Sequence, residues 1–272
     1  EALHITQPAV SQHIRYIEEY YQTRLFTFQG KKPVLTEAGE YLLHAFTTLS
    51  HDQVYLKEQL LSMQKKKPAL IFGATLTIGE YVMPRFLIEY QTRHPDTVLT
   101  MITANTHELL DRISDGEIDF AIVEGYFDKT QYDYLTFSSE PYIAVAGTPL
   151  FEDCRPRSLS ELLDQKLIVR EPGSGTREIL EKHLEARNLS IHDFSGVSEI
   201  GNIPALKAVV SAGLGITFLY RSAAEEELKN GILFDVTPEN FSITHDFTLI
   251  WQKGSMFASR YRTIFEEWKK KL

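Results

Sequence analysis

The chain has 272 residues and one cysteine, Cys154. A single thiol excludes an internal disulfide and any zinc site built from cysteines. No apolar run approaches the roughly 20 residues that a membrane-spanning helix needs. The opening Glu1-Ala2-Leu3-His4-Ile5-Thr6 carries neither a basic stretch nor an apolar one, so it does not read as a signal peptide. It starts without Met and inside a helical pattern, so the reading expects sequence upstream. Catalytic signatures are missing too. There is no Gly-x-Ser-x-Gly elbow, no His-Glu-x-x-His and no phosphate-loop lysine motif. The nine histidines show no metal-ligand spacing, and Cys154 lies between Asp153 and Arg155 without an evident base. The residues therefore give no reason to expect an enzyme, a metal or a cofactor.

What is present is an ordinary globular composition, 43% hydrophobic and 24% charged, in a chain long enough for more than one domain. The formal charge of -9 is unevenly placed. Residues 1–67 carry 8 basic and 7 acidic side chains, which leaves 20 basic and 30 acidic for the rest. This balance permits contact with nucleic acid by the first part only.

Three regions separate by pattern. A compact stretch of helix and turn runs to about Thr36. A long helical stretch follows, ended by Lys65-Lys66-Lys67-Pro68. Along it Leu42, Phe46, Leu49, Gln53, Leu56, Leu60 and Met63 step by 4, 3, 4, 3, 4, 3, the a/d spacing of a heptad. So narrow a stripe suits a partner helix better than a broad core, and a dimer is expected, with Gln53 as the polar position that fixes register. Beyond Pro68 the pattern alternates strand and helix. Strands are predicted at residues 69–74, 98–103, 119–123, 142–146, 167–169, 215–219, 232–236 and 247–251. Helices are predicted at 78–93, 106–114, 158–163, 175–187, 203–212, 221–229 and 257–270. Alternation of this kind implies an α/β class with mostly parallel sheets, and the length implies two lobes.

Near the start, Thr6 reads as a helix N-cap and Pro8 suits a first turn. Val10, Ile14, Ile17 and Tyr21 then make one apolar face, which leaves Gln7, Ser11, Gln12 and Arg15 outward, short polar groups suited to base edges and phosphates. Taken by itself this is any small capped amphipathic helix. The longer stretch adds Arg24-Leu25-Phe26, then Gly30-Lys31-Lys32-Pro33-Val34-Leu35-Thr36-Glu37-Ala38-Gly39. Residue types, order and spacing resemble the N-terminal domain of LysR-type transcription regulators: a winged helix-turn-helix, here incomplete at its start, and a long dimerising linker helix. The resemblance implies that Gln7, Pro8, Ser11 and Gln12 face the major groove of double-stranded DNA, with Lys31 and Lys32 on backbone phosphates. Gln12 and Phe28 stand where the family usually has basic residues, which should weaken phosphate attraction.

In the large region, Gly73-Ala74-Thr75-Leu76-Thr77-Ile78-Gly79 places two hydroxyls at a strand-to-helix turn, where free N–H groups favour an anion. Glu171-Pro172-Gly173-Ser174-Gly175-Thr176-Arg177 repeats the arrangement, and Ala104-Asn105-Thr106 and Ile200-Gly201-Asn202 add short polar groups at similar turns. Each alone is more often a plain helix cap; together they suggest a ligand cleft at strand ends. The run Val209-Val210-Ser211-Ala212-Gly213-Leu214-Gly215-Ile216 and the run Asp115-Gly116-Glu117-Ile118-Asp119-Phe120-Ala121-Ile122-Val123 resemble signatures of LysR-type effector domains. That resemblance implies a fold similar to type II periplasmic binding proteins, two lobes joined by two crossover strands. It further implies a cleft lined by Thr75, Thr77, Thr106, Glu124, Ser174, Thr176 and Asn202. The turn at Thr75 is similar to relatives linked to sulfur assimilation.

The expected organisation is a DNA-binding domain at 1–39, a linker helix at 40–67 and an effector domain at 68–272. Lobe I takes 68–141 with 233–272, and lobe II takes 142–232. The expected function is cytoplasmic, ligand-responsive transcription regulation by a homodimer or homotetramer that senses a small anion. RNA polymerase becomes a further partner if the protein activates, and no membrane is involved. The alternative is a solute-binding protein or small-anion-binding enzyme on the same two-lobed fold, for which a heptad linker and a Lys31-Lys32 wing have no use.

Overall fold

The computed structural model describes residues 6–65, 68–149 and 156–269. Leu3, His4 and Ile5 of the first motif, and Cys154, lie outside the described residues. The chain forms two compact units that divide between Ser50 and His51.

The first unit opens with α1 (Gln7–Tyr21). Thr6 has the extended backbone of an N-cap, but its hydroxyl makes no capping bond, so the side-chain cap expected there is not formed. Two short antiparallel strands follow, β1 (Phe26–Gln29) and β2 (Lys32–Leu35). Their two-residue loop carries Gly30 at φ +64, which glycine reaches without strain. Glu18 ties the end of α1 to this hairpin, accepting from Leu25 N at 2.7 Å, Phe26 N at 3.3 Å and Arg24 at 3.2 Å. Those amide donors, Leu25 foremost, hold its carboxyl below the ordinary range. Thr36 then caps helix α2 (Glu37–Lys65), its hydroxyl accepting from Gly39 N at 3.1 Å. A Cβ on Gly39 would stand 2.2 Å from Leu25 O, so the Leu-Thr-Glu-Ala-Gly turn needs its glycine for close backbone approach.

The second unit begins within α2. His51, Asp52 and Tyr55 are buried. Asp52 accepts from Ser255 Oγ at 2.7 Å and Met256 N at 2.9 Å, and the Tyr55 ring meets Phe257 at 4.2 Å. The rest of the unit is one sheet in the order β4-β3-β5-β11-β6-β9-β7-β8, with β10 beside β6. At one end β3 (Ala69–Ala74) pairs in parallel with β4 (Val98–Thr103) and β5 (Phe120–Val123), flanked by α3 (Met83–Arg93) and α4 (Thr106–Ser114). At the other end β7 (Lys166–Val169) pairs in parallel with β8 (Gly196–Glu199) and β9 (Ile216–Tyr220), beside α5 (Gly175–Glu185), α6 (Ile203–Ser211), α7 (Arg221–Lys229) and the short β10 (Phe234–Asp235). Helix α8 (Ala258–Lys269) returns to the first end and buries Tyr261, Ile264, Phe265 and Trp268.

The lobes are joined by β6 (Tyr132–Ala146) and β11 (Ile243–Gln252), which pair antiparallel from Ile243↔Tyr142 to Gln252↔Tyr132. Both crossovers are longer than predicted. The added half of β6 reads Tyr-Asp-Tyr-Leu-Thr-Phe-Ser-Ser-Glu-Pro and is buried at alternate positions at most, so it lacks the continuous apolar run of a central strand. The register slips between Phe247 and Thr248, which leaves Phe137 as an extra residue opposite the slip. Phe137 turns into the core and meets Phe86 edge-on at 5.1 Å.

Candidate functional site

Two turns at strand C-terminal ends face each other across the lobes. In the first lobe the turn after β3 holds Thr75 and Thr77, both buried. A π-helical turn over Ile78–Val82 follows, with Met83 N bonded to Ile78 O. Pro84 explains it: without an N–H it cannot continue the ordinary i→i−4 ladder, so the register widens by one residue. Glu124 follows β5 and is also buried. In the second lobe the turn after β7 holds Arg170, Ser174 and Thr176, all buried.

The two turns bond to one another. Thr176 Oγ1 donates to Glu124 Oε1 at 2.9 Å and lies 3.4 Å from Thr77 Oγ1. Tyr142 OH donates to Thr176 O at 2.8 Å. A Cβ on Gly175 would stand 2.8 Å from Glu124 Cγ, and one on Gly125 would stand 2.5 Å from Thr106 Oγ1, so glycine lets the turns close. Burial pushes the Glu124 carboxyl above the ordinary range, against the hydroxyls of Thr176 and Thr77 and the charge of Arg170, which pull it down. Thr75 Oγ1, Thr106 Oγ1, Glu124 Oε2, Arg170 Nη1 and Tyr220 OH are buried without a hydrogen-bond partner. A buried donor or acceptor left unsatisfied costs about 1–3 kcal/mol, so these five atoms favour a polar partner.

Of the residues expected at the cleft, Thr75, Thr77, Thr106, Glu124, Ser174 and Thr176 are buried at these turns. Asn202 is exposed and its Oδ1 caps α6 through Ala205 N at 2.9 Å. Simple capping therefore accounts for Asn105 and Asn202, whereas the Ser174 hydroxyl makes no cap bond. Arg177, the cation nearest in sequence, turns outward to Glu181 at 2.7 Å and Glu199 at 2.9 Å. The inward cation is Arg170, which sequence reasoning missed. Its Nε and Nη2 bind Glu171 at 2.8 Å each, leaving Nη1 free. The available signal was a charge placed directly after the apolar run Leu167-Ile168-Val169. Tyr142 and Tyr220 were missed as well. A further inter-lobe contact sets Lys207 Nζ 4.5 Å from the Tyr81 ring, and burial, then Glu80 and Glu227, push the Tyr81 phenol up to about 12.

In the first unit Gln7, Pro8, Ser11, Gln12 and Arg15 are exposed along one side of α1, and Lys31 and Lys32 are exposed at the hairpin. Ser11 Oγ donates back to Gln7 O at 3.1 Å, and Arg15 pairs with Glu19 at 3.1 Å. On α2 Leu42 is half-buried, whereas Phe46, Leu49, Gln53, Leu56 and Leu60 are exposed, Leu49 at 63%. The Met63 side chain lies outside the described residues.

Residues 1–40 match the bacterial regulatory helix-turn-helix proteins of the lysR family, and residues 64–271 match the LysR substrate binding domain. The chain belongs to the LysR family of transcriptional regulators. It is 30% identical to a RuBisCO operon transcriptional regulator of Acidithiobacillus ferrooxidans, over 98% of this chain and 85% of that protein. It is 28% identical to the transcriptional activator CmpR of Synechocystis, over 98% and 87%, and 28% identical to the regulator CysL of Bacillus subtilis, over 92% and 83%. The fold is similar to the Synechocystis CcmR regulatory domain solved with 2-PG, with TM-score 0.67 and 20% identity over 76% of this chain and 99% of that one. It is also similar to a hydrogen-peroxide-bound OxyR variant of Corynebacterium glutamicum, with TM-score 0.68 and 23% identity over 99% and 85%. Among the described residues of this LysR-type chain, no helix is long and apolar enough to cross a membrane.

Proposed function

We propose that this regulator senses a small anion held between its lobes, at the turns carrying Thr75, Thr77, Thr106, Glu124, Arg170, Ser174 and Thr176. The lobes would be residues 68–141 with 233–272, and residues 142–232. The observation that carries this reading is the group of buried, unpartnered polar atoms in the cleft, with Arg170 Nη1 as the cation among them. Strand C-terminal ends are where open α/β sheets place their ligands. Binding of 2-PG by the CcmR regulatory domain supports an effector of this class.

The DNA-reading face is Gln7, Pro8, Ser11, Gln12 and Arg15 on α1, with Lys31 and Lys32 on phosphates. The exposed seam from Leu42 through Phe46, Leu49, Gln53, Leu56 and Leu60 toward Met63 pairs two copies, and contacts between effector domains extend dimers to tetramers. The protein works in the cytoplasm on promoter DNA and meets RNA polymerase where it activates.

Calorimetry of sulfate, phosphate and small dicarboxylates against the full chain tests the cleft. Thr75→Val is expected to weaken the bound anion several-fold, since the site loses one neutral donor, and Arg170→Met more, since it loses a charged one. Binding confined to cationic or wholly apolar compounds, or indifferent to both substitutions, would remove the assignment.

A further inference from the structure

Glu124 is an odd side chain to find in a seat for an anion. Its Oε1 is taken by Thr176, its Oε2 is buried without a partner, and no cation among the described residues is paired with it. The nearby guanidinium spends two of its nitrogens on Glu171. A buried carboxylate without a paired cation is costly, and the usual resolution is that the group stays neutral. A neutral acid carries a proton, and Oε2 is the oxygen with no other partner. Every other unpartnered group of the cluster, the hydroxyls of Thr75, Thr106 and Tyr220 and Nη1 of Arg170, can donate. A protonated Oε2 completes a seat made wholly of donors, whereas an ionised one would set a negative charge against the ligand.

We propose that Glu124 binds the effector as a neutral carboxylic acid, donating from Oε2 to the bound oxyanion, so that the cleft takes up its anion together with a proton. This rests on the reading of the cleft as the effector site and names the chemistry of that site. When Glu124 is ionised, one proton must come from solvent as the anion binds; when it is already neutral, none is exchanged.

The groups facing Glu124 are two phenols, a guanidinium and hydroxyls. From β6 and β9 it is faced by Tyr142 and Tyr220, both held well above their ordinary values by burial and by Glu124 itself. From the turn after β7 it is faced by the Arg170 guanidinium, which pulls it down. Thr75, Thr77, Thr106 and Thr176 do not titrate. His245 lies against Tyr126, and burial lowers its imidazole below the ordinary value.

The test is calorimetry of the full chain with sulfate and with succinate, both fully ionised between about pH 6.5 and 8.5, in buffers of different ionisation enthalpy. Affinity is expected to fall with rising pH, approaching ten-fold per unit once Glu124 ionises. Proton uptake should approach one per anion at the alkaline end. Glu124→Gln keeps a donor of the same shape without the titration, and is expected to bind within about three-fold of the parent at the acid end and to lose the pH slope. A parent affinity that rises with pH across this range, or a proton released on binding, overturns the proposal without needing any variant to fold. So does a Glu124→Gln chain that folds, by its melting curve, but no longer binds. Oxyanion binding that depends on Thr75 and Arg170 yet ignores Glu124 would leave the cleft as effector site and remove only its acid. If neither anion binds at millimolar concentration, both readings fall together.

Discussion

A Cβ on Gly175 in the second lobe would lie 3.1 Å from the Gly125 Cα in the first, and 2.8 Å from Glu124 Cγ. The two lobes therefore meet backbone to backbone, and neither neighbour is the loose end of a flexible side chain. Gly175→Ala is expected to push the turns apart at a cost of about 1–3 kcal/mol, the usual range for overpacking. For a unit of this size that corresponds to roughly 2–4 °C of melting temperature per kcal/mol. A Gly175→Ala chain that melts and binds anions like the parent would mean that the lobes do not need this contact.

The half-buried His245 gives a pH dependence of known sign. Burial, assisted by Lys182, lowers its imidazole below the ordinary value, against Asp246 and Glu178, which raise it. A lowered folded value means that the unfolded chain binds the proton more readily. Stability from this group is then present above about pH 6.5 and lost as pH falls through the lowered folded value. His183 acts in the same direction through burial, Arg187 and His245. His245→Gln should give a shallower fall of melting temperature below pH 6.5 than the parent shows. An identical slope in both would place the destabilising protonation elsewhere.

Leu49 and Leu56 are exposed on the face of α2 that carries the heptad seam. Leu49→Glu with Leu56→Glu is expected to yield monomers, because like charges would face their copies across a desolvated seam. Sedimentation of an unchanged dimer or tetramer would assign the main interface to other surfaces.

For the intact regulator on operator DNA, Lys31→Ala should lower the magnitude of the log K against log salt slope by about 1 without changing sequence preference. Gln12→Ala or Ser11→Ala should change sequence preference instead. A Lys31→Ala protein with altered preference and an unchanged slope would reverse these roles.

Much of the fold was legible because its periodicities are clean. Strands at Ala69–Ala74 and Val98–Thr103 and helices at Thr106–Ser114 and Arg221–Lys229 lie where the sequence places them. The crossover half of β6 was not legible, because a strand partly exposed at alternate positions, with Glu140-Pro141 inside it, looks like a loop. Strand β8, Gly196–Glu199, was missed for a related reason: it is half-buried and offers only Val197 as an apolar residue. At the cleft, hydroxyls and glycines announced themselves through strand-to-helix turns. Arg170 did not, since the sequence does not show which of its nitrogens Glu171 takes, and only the folded chain shows a guanidinium with one nitrogen left over. Asn202 was misleading because a cap and a ligand contact ask for the same short polar side chain.

The pairing of β6 with β11 has a mechanical consequence. The two crossovers are hydrogen-bonded to each other along their length, apart from the slip at Phe247 and Thr248, so they form a ribbon rather than two separate strings. A paired ribbon resists being sheared or pulled apart, because that breaks its ladder, whereas twist is the deformation that sheets accommodate most freely. The lobes are therefore hung on a torsion bar. A rotation of one lobe about the ribbon axis would leave that ladder whole, and the ladder is interrupted at one place, opposite Phe137.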